Sequence, residues 1–184
     1  MGMDVYGENP ILVSERPTQP DFSVATEEEK TEYFNKLEEF ERINVGYYFR
    51  NNIWWWRPLW EYVCQVCPDV LSEEDREAGH SNSGYLYDAS QAAQIAKTLQ
   101  RELILGKTLE YQKEYEAELE ALPQVDCPHC NATGTRDDQY VQGKCNACSG
   151  TGKQDPWAKA YPFDIENVQD FQRFVEASGG FRVC

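Results

Sequence analysis

Two Cys-x-x-Cys pairs, each followed by a short run of small residues, constrain the fold of this chain more than any other feature. The two halves read Cys127-Pro128-His129-Cys130-Asn131-Ala132-Thr133-Gly134 and Cys145-Asn146-Ala147-Cys148-Ser149-Gly150-Thr151-Gly152. Each pair directs two sulfurs at one metal, and the fourteen residues between the pairs let the second pair return to complete a tetrahedron. The glycines allow backbone N–H groups to approach the thiolates and hydrogen-bond them. We predict one structural Zn2+ bound by Cys127, Cys130, Cys145 and Cys148.

Two other uses of Cys-x-x-Cys are a redox-active dithiol and an iron–sulfur cluster. A redox pair usually lies at a helix N-terminus, which lowers the pKa of its thiol. Here the pairs are followed by turn-forming Gly, Asn and Thr instead. A catalytic zinc keeps one coordination position open, whereas four thiolates close the shell. These alternatives remain open, and a structural zinc is favoured.

Residues 127–152 resemble the Cys-x-x-Cys-x-Gly-x-Gly zinc fingers of DnaJ-type co-chaperones and related small chaperone-like proteins. The run from Cys148 to Gly152 matches that motif fully, and Ala132 stands where the family has its first glycine. Those co-chaperones carry four half-repeats and two zincs, whereas this chain has two half-repeats and lacks the His-Pro-Asp tripeptide of a J-domain. The resemblance implies zinc-binding architecture, and a chaperone or assembly factor as an alternative function.

Cysteine usage and hydropathy indicate a cytoplasmic protein. The chain has seven cysteines, six of them in three Cys-x-x-Cys pairs, which favours metal or redox chemistry over a disulfide framework. No basic region leads into an apolar run at the N-terminus, so we expect no secretory signal. No stretch reaches the eighteen or so apolar residues of a membrane span, so we expect no membrane partner.

The charge balance excludes one class of partner. With 17 basic and 32 acidic residues, the net charge is −15 and the pI is near 4.5. Such a surface repels phosphate, so we expect no direct binding to a nucleic-acid backbone. The acidity promotes solubility; alternatively, it provides a surface that meets a basic partner or imitates nucleic acid.

Helical periodicity predicts an α-rich α+β fold. We expect one helical domain, residues 1–123 plus 156–184, with an inserted zinc-knuckle module at 124–155. A capping box at Thr26 opens a helix to about Glu41, and Asp164 caps the last helix. Two more helices, the first capped by Ser90, meet near Gly106. A short strand at Asp4–Tyr6 could pair with Phe181–Cys184.

The aromatic stretch from residue 47 to residue 60 holds four of the five tryptophans. It is expected to enter a helix that continues to Cys67, with Pro58 in its first turn. Three consecutive tryptophans cannot share one helix face. The stretch is therefore either a large aromatic core with arginines on its rim or a recognition surface that stacks a planar ligand or a peptide. The predicted ligand-binding residues are Arg50, Asn52, Trp54, Trp55, Trp56 and Arg57.

A second metal site is a further hypothesis. Cys64 and Cys67 form the third Cys-x-x-Cys pair, and His80 and Cys184 could complete four ligands. Buried free thiols and a solvated loop histidine are the alternative interpretation, since cysteine is among the most buried residue types.

The chain as a whole is similar to uncharacterised bacterial and bacteriophage proteins. The shared blocks are the opening at residues 1–10, the Tyr-Phe-Arg-Asn-Asn-x-Trp-Trp-Trp-Arg-Pro-Leu-Trp block at 48–60 and the Gly-Gly-Phe-x-x-Cys ending at 179–184. The resemblance implies a phage or prophage setting.

The preferred function is a zinc-stabilised, non-enzymatic binding or adaptor protein. Its Trp/Arg-rich segment would engage a protein partner or a small aromatic ligand. One alternative is an enzyme acting on a nucleotide-like substrate, with His80 as acid or base and Arg50 and Arg57 holding anionic groups. Another is a phage counter-defence protein that sequesters a nucleotide-like ligand or blocks a host nucleic-acid binder.

Overall fold

The structure is a computed structural model that describes residues 2–184; Met1, the first residue of the opening motif, lies outside that range. The helices are α1 (Glu27–Ile43), α2 (Ile53–Val66), α3 (Glu73–Ala78), α4 (Ala89–Ile104), α5 (Lys107–Ala121) and α6 (Ile165–Ala177), with a 3-10 turn at Trp157–Ala160. The strands are β1 (Gly2–Gly7), β2 (Tyr48–Asn52), β3 (Tyr85–Tyr87), β4 (Val125–Asp126), β5 (Thr135–Asp137), β6 (Gln142–Lys144), β7 (Lys153–Gln154) and β8 (Phe181–Val183). The predicted α-rich α+β class is confirmed.

The chain forms two compact units. The first comprises the residues up to Glu110 together with Phe163–Cys184, and the second is Tyr111–Pro162. A compact unit need not be an independently folding domain. The domain limits predicted from the sequence, with the module at 124–155, therefore stay a prediction.

A four-stranded antiparallel sheet organises the first unit, in the order β2-β1-β8-β3. Val5 of β1 lies opposite Val183 of β8, so the predicted pairing of the two terminal strands is confirmed. Successive side chains of a strand alternate between the two faces. Met3 and Val5 are buried, whereas Tyr6 is 42% exposed. One face of the sheet therefore packs against the hydrophobic core, and the other faces solvent.

Helices α2, α4 and α6 supply most of the helical part of the core. The apolar stripe of α4 (Ala92, Ile95, Ala96 and Leu99) is buried, as its helical spacing predicts. In α6 the buried stripe is Val168, Phe171, Phe174 and Val175. Trp56 and Trp60 of α2 stack with ring centroids 5.6 Å apart. The second half of the 47–60 stretch therefore contributes the two largest side chains of a core that α4 and α6 share.

Two local predictions need correction. Helix α2 begins at Ile53, so Pro58 is its sixth residue and lies beyond the first turn. Helix α4 is capped by Asp88, whose side chain accepts from the Gln91 amide in a capping box, and Ser90 lies inside the helix. Strands β2 and β3, like the short module strands β4 to β7, were not predicted. The predicted capping box at Thr26 and the Asp164 cap are present.

Helices long and apolar enough to cross a membrane are absent from residues 2–184.

Candidate metal centre

Four cysteine sulfurs converge in the second unit. The Sγ atoms of Cys127, Cys130, Cys145 and Cys148 all lie within 4.8 Å of one another, and the four residues are buried. Cys130 Sγ and Cys148 Sγ are 3.7 Å apart. Four sulfurs placed about 2.3 Å from one zinc at the corners of a tetrahedron are about 3.8 Å from each other. The cluster thus has the donor chemistry and the spacing for a metal such as zinc.

The repeated sequence folds into two repeated knuckles. In the first, the Ala132 amide donates to the Cys127 carbonyl at 3.1 Å; in the second, the Gly150 amide donates to the Cys145 carbonyl at 3.0 Å. Thr133 and Thr151 each donate a hydroxyl to the carbonyl of the preceding cysteine, at 2.6 and 2.8 Å. These local bonds fix the turn that aims each pair of sulfurs at one point.

Backbone N–H groups surround the sulfurs. The Gly134 amide donates to Cys130 Sγ and the Gly152 amide to Cys148 Sγ, both at 3.3 Å. Such bonds offset the negative charge of a metal-bound thiolate. This arrangement was anticipated from the glycines that follow each pair.

The pKa values of two thiols are shifted in opposite directions. Burial raises the pKa of Cys127 to about 11. Burial would also raise the pKa of Cys148, but hydrogen bonds from the Gly152 amide and from the neighbouring thiols outweigh it and lower that pKa to about 6. A thiolate, not a thiol, binds the metal. Metal binding at neutral pH must therefore expel the Cys127 proton.

The last residue of each half, Gly134 or Gly152, must be glycine because the backbone packs closely around it. Gly134 has φ +76°, and a Cβ there would lie 2.4 Å from the Gly150 carbonyl oxygen. Gly152 has φ +74°, and a Cβ there would lie 2.2 Å from the carbonyl oxygen of Ala132. Both positions need glycine for two reasons, conformation and space. The last glycine of each half thus has a steric cause in this chain.

Strand pairing closes the module. β4 pairs with β7, and β5 pairs with β6 through the register Thr135↔Lys144. β5 and β6 form a hairpin between the two knuckles, and β4 and β7 pair the two ends of the module. They explain how the second cysteine pair returns to the first.

The predicted Trp/Arg site is divided by the structure. Trp56 is fully buried, and its Nε1 donates to the Gly79 carbonyl at 2.7 Å. Trp54 and Trp55 are half-buried, and Arg57 is exposed. Consecutive residues of a helix point about 100° apart, which accounts for the separation. Trp56 therefore belongs to the core rather than to a shared surface with Trp54.

Arg50 and Asn52 occupy β2 rather than the helix. Arg50 is exposed, with Nε 3.9 Å from the Asp4 carboxylate. Asn52 caps α2: its Oδ1 accepts from the Trp54 and Trp55 amides at 3.0 and 3.1 Å. Its side-chain oxygen is thus already used by the fold.

Two tyrosines beside Arg50 were missed by sequence reasoning. Tyr6 of β1 lies opposite Tyr48 of β2, and their ring centroids are 5.0 Å apart. The Tyr48 hydroxyl donates to Asp4, and burial together with this bond raises the Tyr48 pKa. The signal in the sequence was the alternation of Asp4 and Tyr6 with the apolar Met3 and Val5.

The structure does not bring the second predicted ligand set together. Within residues 2–184, the four module cysteines are the one group of three or more candidate ligands with mutually close donor atoms. Cys64 lines a pocket of about 410 Å³ with His80, whose Nε2 is 3.6 Å from Glu61. Cys67 is buried, and the Cys184 amide pairs with Asp4. Burial raises the thiol pKa of Cys64 to about 12 and that of Cys67 to about 11.

Comparison of the chain with protein-family models, with curated proteins and with solved structures finds no match. The resemblances of residues 127–152 to a DnaJ-type finger and of the whole chain to bacteriophage proteins therefore stay predictions. An inference about what the chain binds therefore depends on its own geometry. The best-defined part of that geometry is the four-cysteine cluster.

Proposed function

We propose that the chain is a zinc-stabilised, non-enzymatic binding protein. The observation that carries the proposal is the buried four-sulfur cluster, in which Gly134 and Gly152 donate amides to two of the sulfurs. Four thiolates complete a tetrahedral shell and leave no coordination position for a substrate. Zinc bound in this way stabilises the module instead of activating water.

The binding surface we propose lies on the solvent face of the sheet, around Arg50. Arg50 is exposed, and Tyr6 beside it is 42% exposed with its ring next to that of Tyr48. Aromatic rings and a guanidinium stack planar groups, and the guanidinium also pairs with an anion. This chemistry suits a small aromatic or nucleotide-like ligand. Trp54 and Arg57, at the start of α2, extend the contact surface to a protein partner.

The zinc assignment is tested by native mass spectrometry of the full chain. We expect one zinc per chain, lost in Cys127→Ser and in Cys148→Ser. Because metal binding and local folding are coupled, chelation should loosen residues 124–155 and leave the helices of the first unit folded. A metal-free chain with an ordered module would overturn the assignment.

The binding surface is tested separately, with adenosine monophosphate as the probe for a nucleotide-like ligand. We expect calorimetry to detect binding of the probe, and Arg50→Ala to abolish that binding without loss of thermal stability. Arg173→Ala is the matched control, since Arg173 is an exposed arginine on α6. Co-purification of a protein that Arg50→Ala or Arg57→Ala releases would identify the partner as a protein. Absence of both kinds of binding would reject the site.

A further inference from the structure

An extended arm, residues 8–26, lies beside α1 and is held in place at several points. The Asn9 amide donates to the Ser178 carbonyl at 3.0 Å, and the Val13 amide donates to Asn44 Oδ1 at 2.7 Å. Further along, the Phe22 ring stacks on Phe34 with centroids 5.7 Å apart. The arm is therefore anchored on both sides of residues 14–20.

A groove runs between residues 14–20 and α1, and we call it the arm–helix groove. It consists of two cavities of about 520 and 400 Å³ that share Pro17, Glu32 and Lys36 as lining residues. Its apolar lining is Pro17, Pro20, Tyr33, Phe40 and Ile43. Each cavity is large enough for an aliphatic or aromatic side chain.

Carboxylates line the same groove. They are Glu15, Glu29, Glu32 and Glu39. Among the described residues that line the groove, Lys36 is the one basic residue. The hydrogen bond from Lys36 lowers the pKa of Glu32, and the hydrogen bond from Arg42 lowers the pKa of Glu39. Both carboxylates are therefore ionised at neutral pH.

The charge of this region exceeds its share of the chain. Residues 14–43 hold nine acidic and four basic residues, a net charge of −5 out of −15 for the whole chain. Three of the four bases (Lys30, Lys36 and Arg42) already pair with glutamates of α1. An acidic field thus surrounds an apolar cleft.

Exposed apolar side chains lie on both elements that form the groove. Ile43, which lines it, is 37% exposed. Phe34 of α1 is 54% exposed, and Val13 and Val24 of the arm are 73% and 79% exposed. The groove and the two elements that form it together offer apolar contact and negative charge.

We propose that the arm–helix groove docks a basic, amphipathic segment of a partner protein. An apolar side chain of the segment enters the cleft over Phe40 and Ile43, and its lysines or arginines pair with Glu15, Glu32 and Glu39. Charge complementarity selects this occupant. A second copy of the chain would bring one −5 surface against another, and a nucleic acid or an anionic membrane would be repelled. The groove is distinct from the surface around Arg50, so either assignment can fail without the other.

The test uses the full zinc-loaded chain and a short synthetic peptide with leucine on one helical face and lysine on the other. We expect amide chemical-shift changes confined to the arm and α1, and binding measured by calorimetry that weakens as salt increases. The double variant Glu32→Gln/Glu39→Gln should weaken binding about fivefold to tenfold at low salt. The same peptide with glutamate in place of lysine should not bind.

Two controls keep the result specific. Glu114→Gln/Glu118→Gln on α5 removes the same charge from exposed residues elsewhere and should leave the affinity within about twofold of the unmodified chain. Ile43→Ser tests the apolar contact and should also weaken binding. Equal loss in both glutamate pairs, shifts on another surface, or no binding would overturn the proposal. So would concentration-dependent dimers whose interface maps to α1.

Discussion

Gly134 and Gly152 occupy equivalent positions in the two halves of the cysteine module, and each bonds to both halves. Each donates its amide to a sulfur of its own half at 3.3 Å. Each also accepts, at 2.9 Å, the amide of the first cysteine of the other half: Cys145 donates to Gly134, and Cys127 donates to Gly152. Neither knuckle is complete alone, because these backbone hydrogen bonds join the two halves.

The same symmetry makes Ala132 a strained residue. Its φ is +65°, and its counterpart in the second half is Gly150 at φ +79°. A left-handed conformation is unfavourable for alanine. Its free-energy cost is larger than the free-energy cost of the extra conformational entropy that a glycine loses on folding. We expect Ala132→Gly to stabilise the zinc-bound module by about 0.5–1 kcal/mol. Amide hydrogen exchange of residues 127–152 measures the change.

The matched control is Ala147→Gly. Ala147 is exposed, as Ala132 is, but its φ is not among the positive ones. Glycine there should destabilise the module by roughly 0.4–1 kcal/mol, because it adds only unfolded-state freedom. If both variants change the exchange in the same direction, strain at Ala132 is not the cause.

Zinc stoichiometry tests whether the third Cys-x-x-Cys pair, Cys64 and Cys67, binds a second zinc. Because Cys64, Cys67, His80 and Cys184 form no group of close ligands, Cys64→Ser should leave one zinc per chain. Native mass spectrometry of the unmodified chain and of the variant gives the ratio directly. A ratio of two that falls to one in Cys64→Ser would show that these residues rearrange around a second metal.

The zinc ligands could be predicted from sequence because their geometry is local. The two cysteines of each pair are three residues apart, and the turn between them is set by bonds inside a single octapeptide. Helices α4 and α6 were also predictable, since each has a clear apolar period. These features need little information from the rest of the chain. The pairing of β1 with β8 was inferred from the β-prone composition of two segments that lie far apart in sequence.

Strand β2 could not be predicted in the same way. Its residues pass directly from strand to helix at Asn52 with no turn between, so the aromatic stretch reads as one element. What makes Tyr48–Asn52 a strand is pairing with β1, more than forty residues away in sequence. That pairing places Arg50 with Tyr6 rather than with the tryptophans. The sequence around Arg50 does not indicate this pairing.

Asp75 links three elements and supplies a pH-dependent prediction. Its carboxylate accepts from the Ser72 amide and hydroxyl at 2.8 and 2.7 Å, from Tyr85 at 3.0 Å and from Gln91 at 3.1 Å. Burial would raise its pKa, but these hydrogen bonds outweigh it and hold the pKa below the usual 3.8. Its stabilising contribution is therefore complete above pH 3.8 and is lost as pH falls through the lower, folded-state pKa.

We expect Asp75→Asn to lower the free energy of unfolding by about 1–3 kcal/mol at neutral pH, since an amide leaves some of these donors unmatched. The difference from the unmodified chain should shrink as the pH falls below 3.8. Urea denaturation at several pH values measures it. The exposed Asp69→Asn should stay within about 0.5 kcal/mol throughout. A cost for Asp75→Asn that does not vary with pH would point to packing instead.

The tryptophan series separates core from surface. Trp56 is fully buried, stacks on Trp60 at 5.6 Å and donates to Gly79, so Trp56→Ala should cost about 3–5 kcal/mol and approach the stability limit of a typical domain. Trp54 is half-buried two residues earlier, and Trp54→Ala should cost clearly less. Chemical denaturation followed by circular dichroism compares the two. If Trp54→Ala and Arg57→Ala keep the fold but lose a partner that the unmodified chain captures, the start of α2 is part of the binding surface. If they keep both, Trp54 and Arg57 contribute to the fold alone, and the binding surface is confined to Arg50 and its two neighbouring tyrosines.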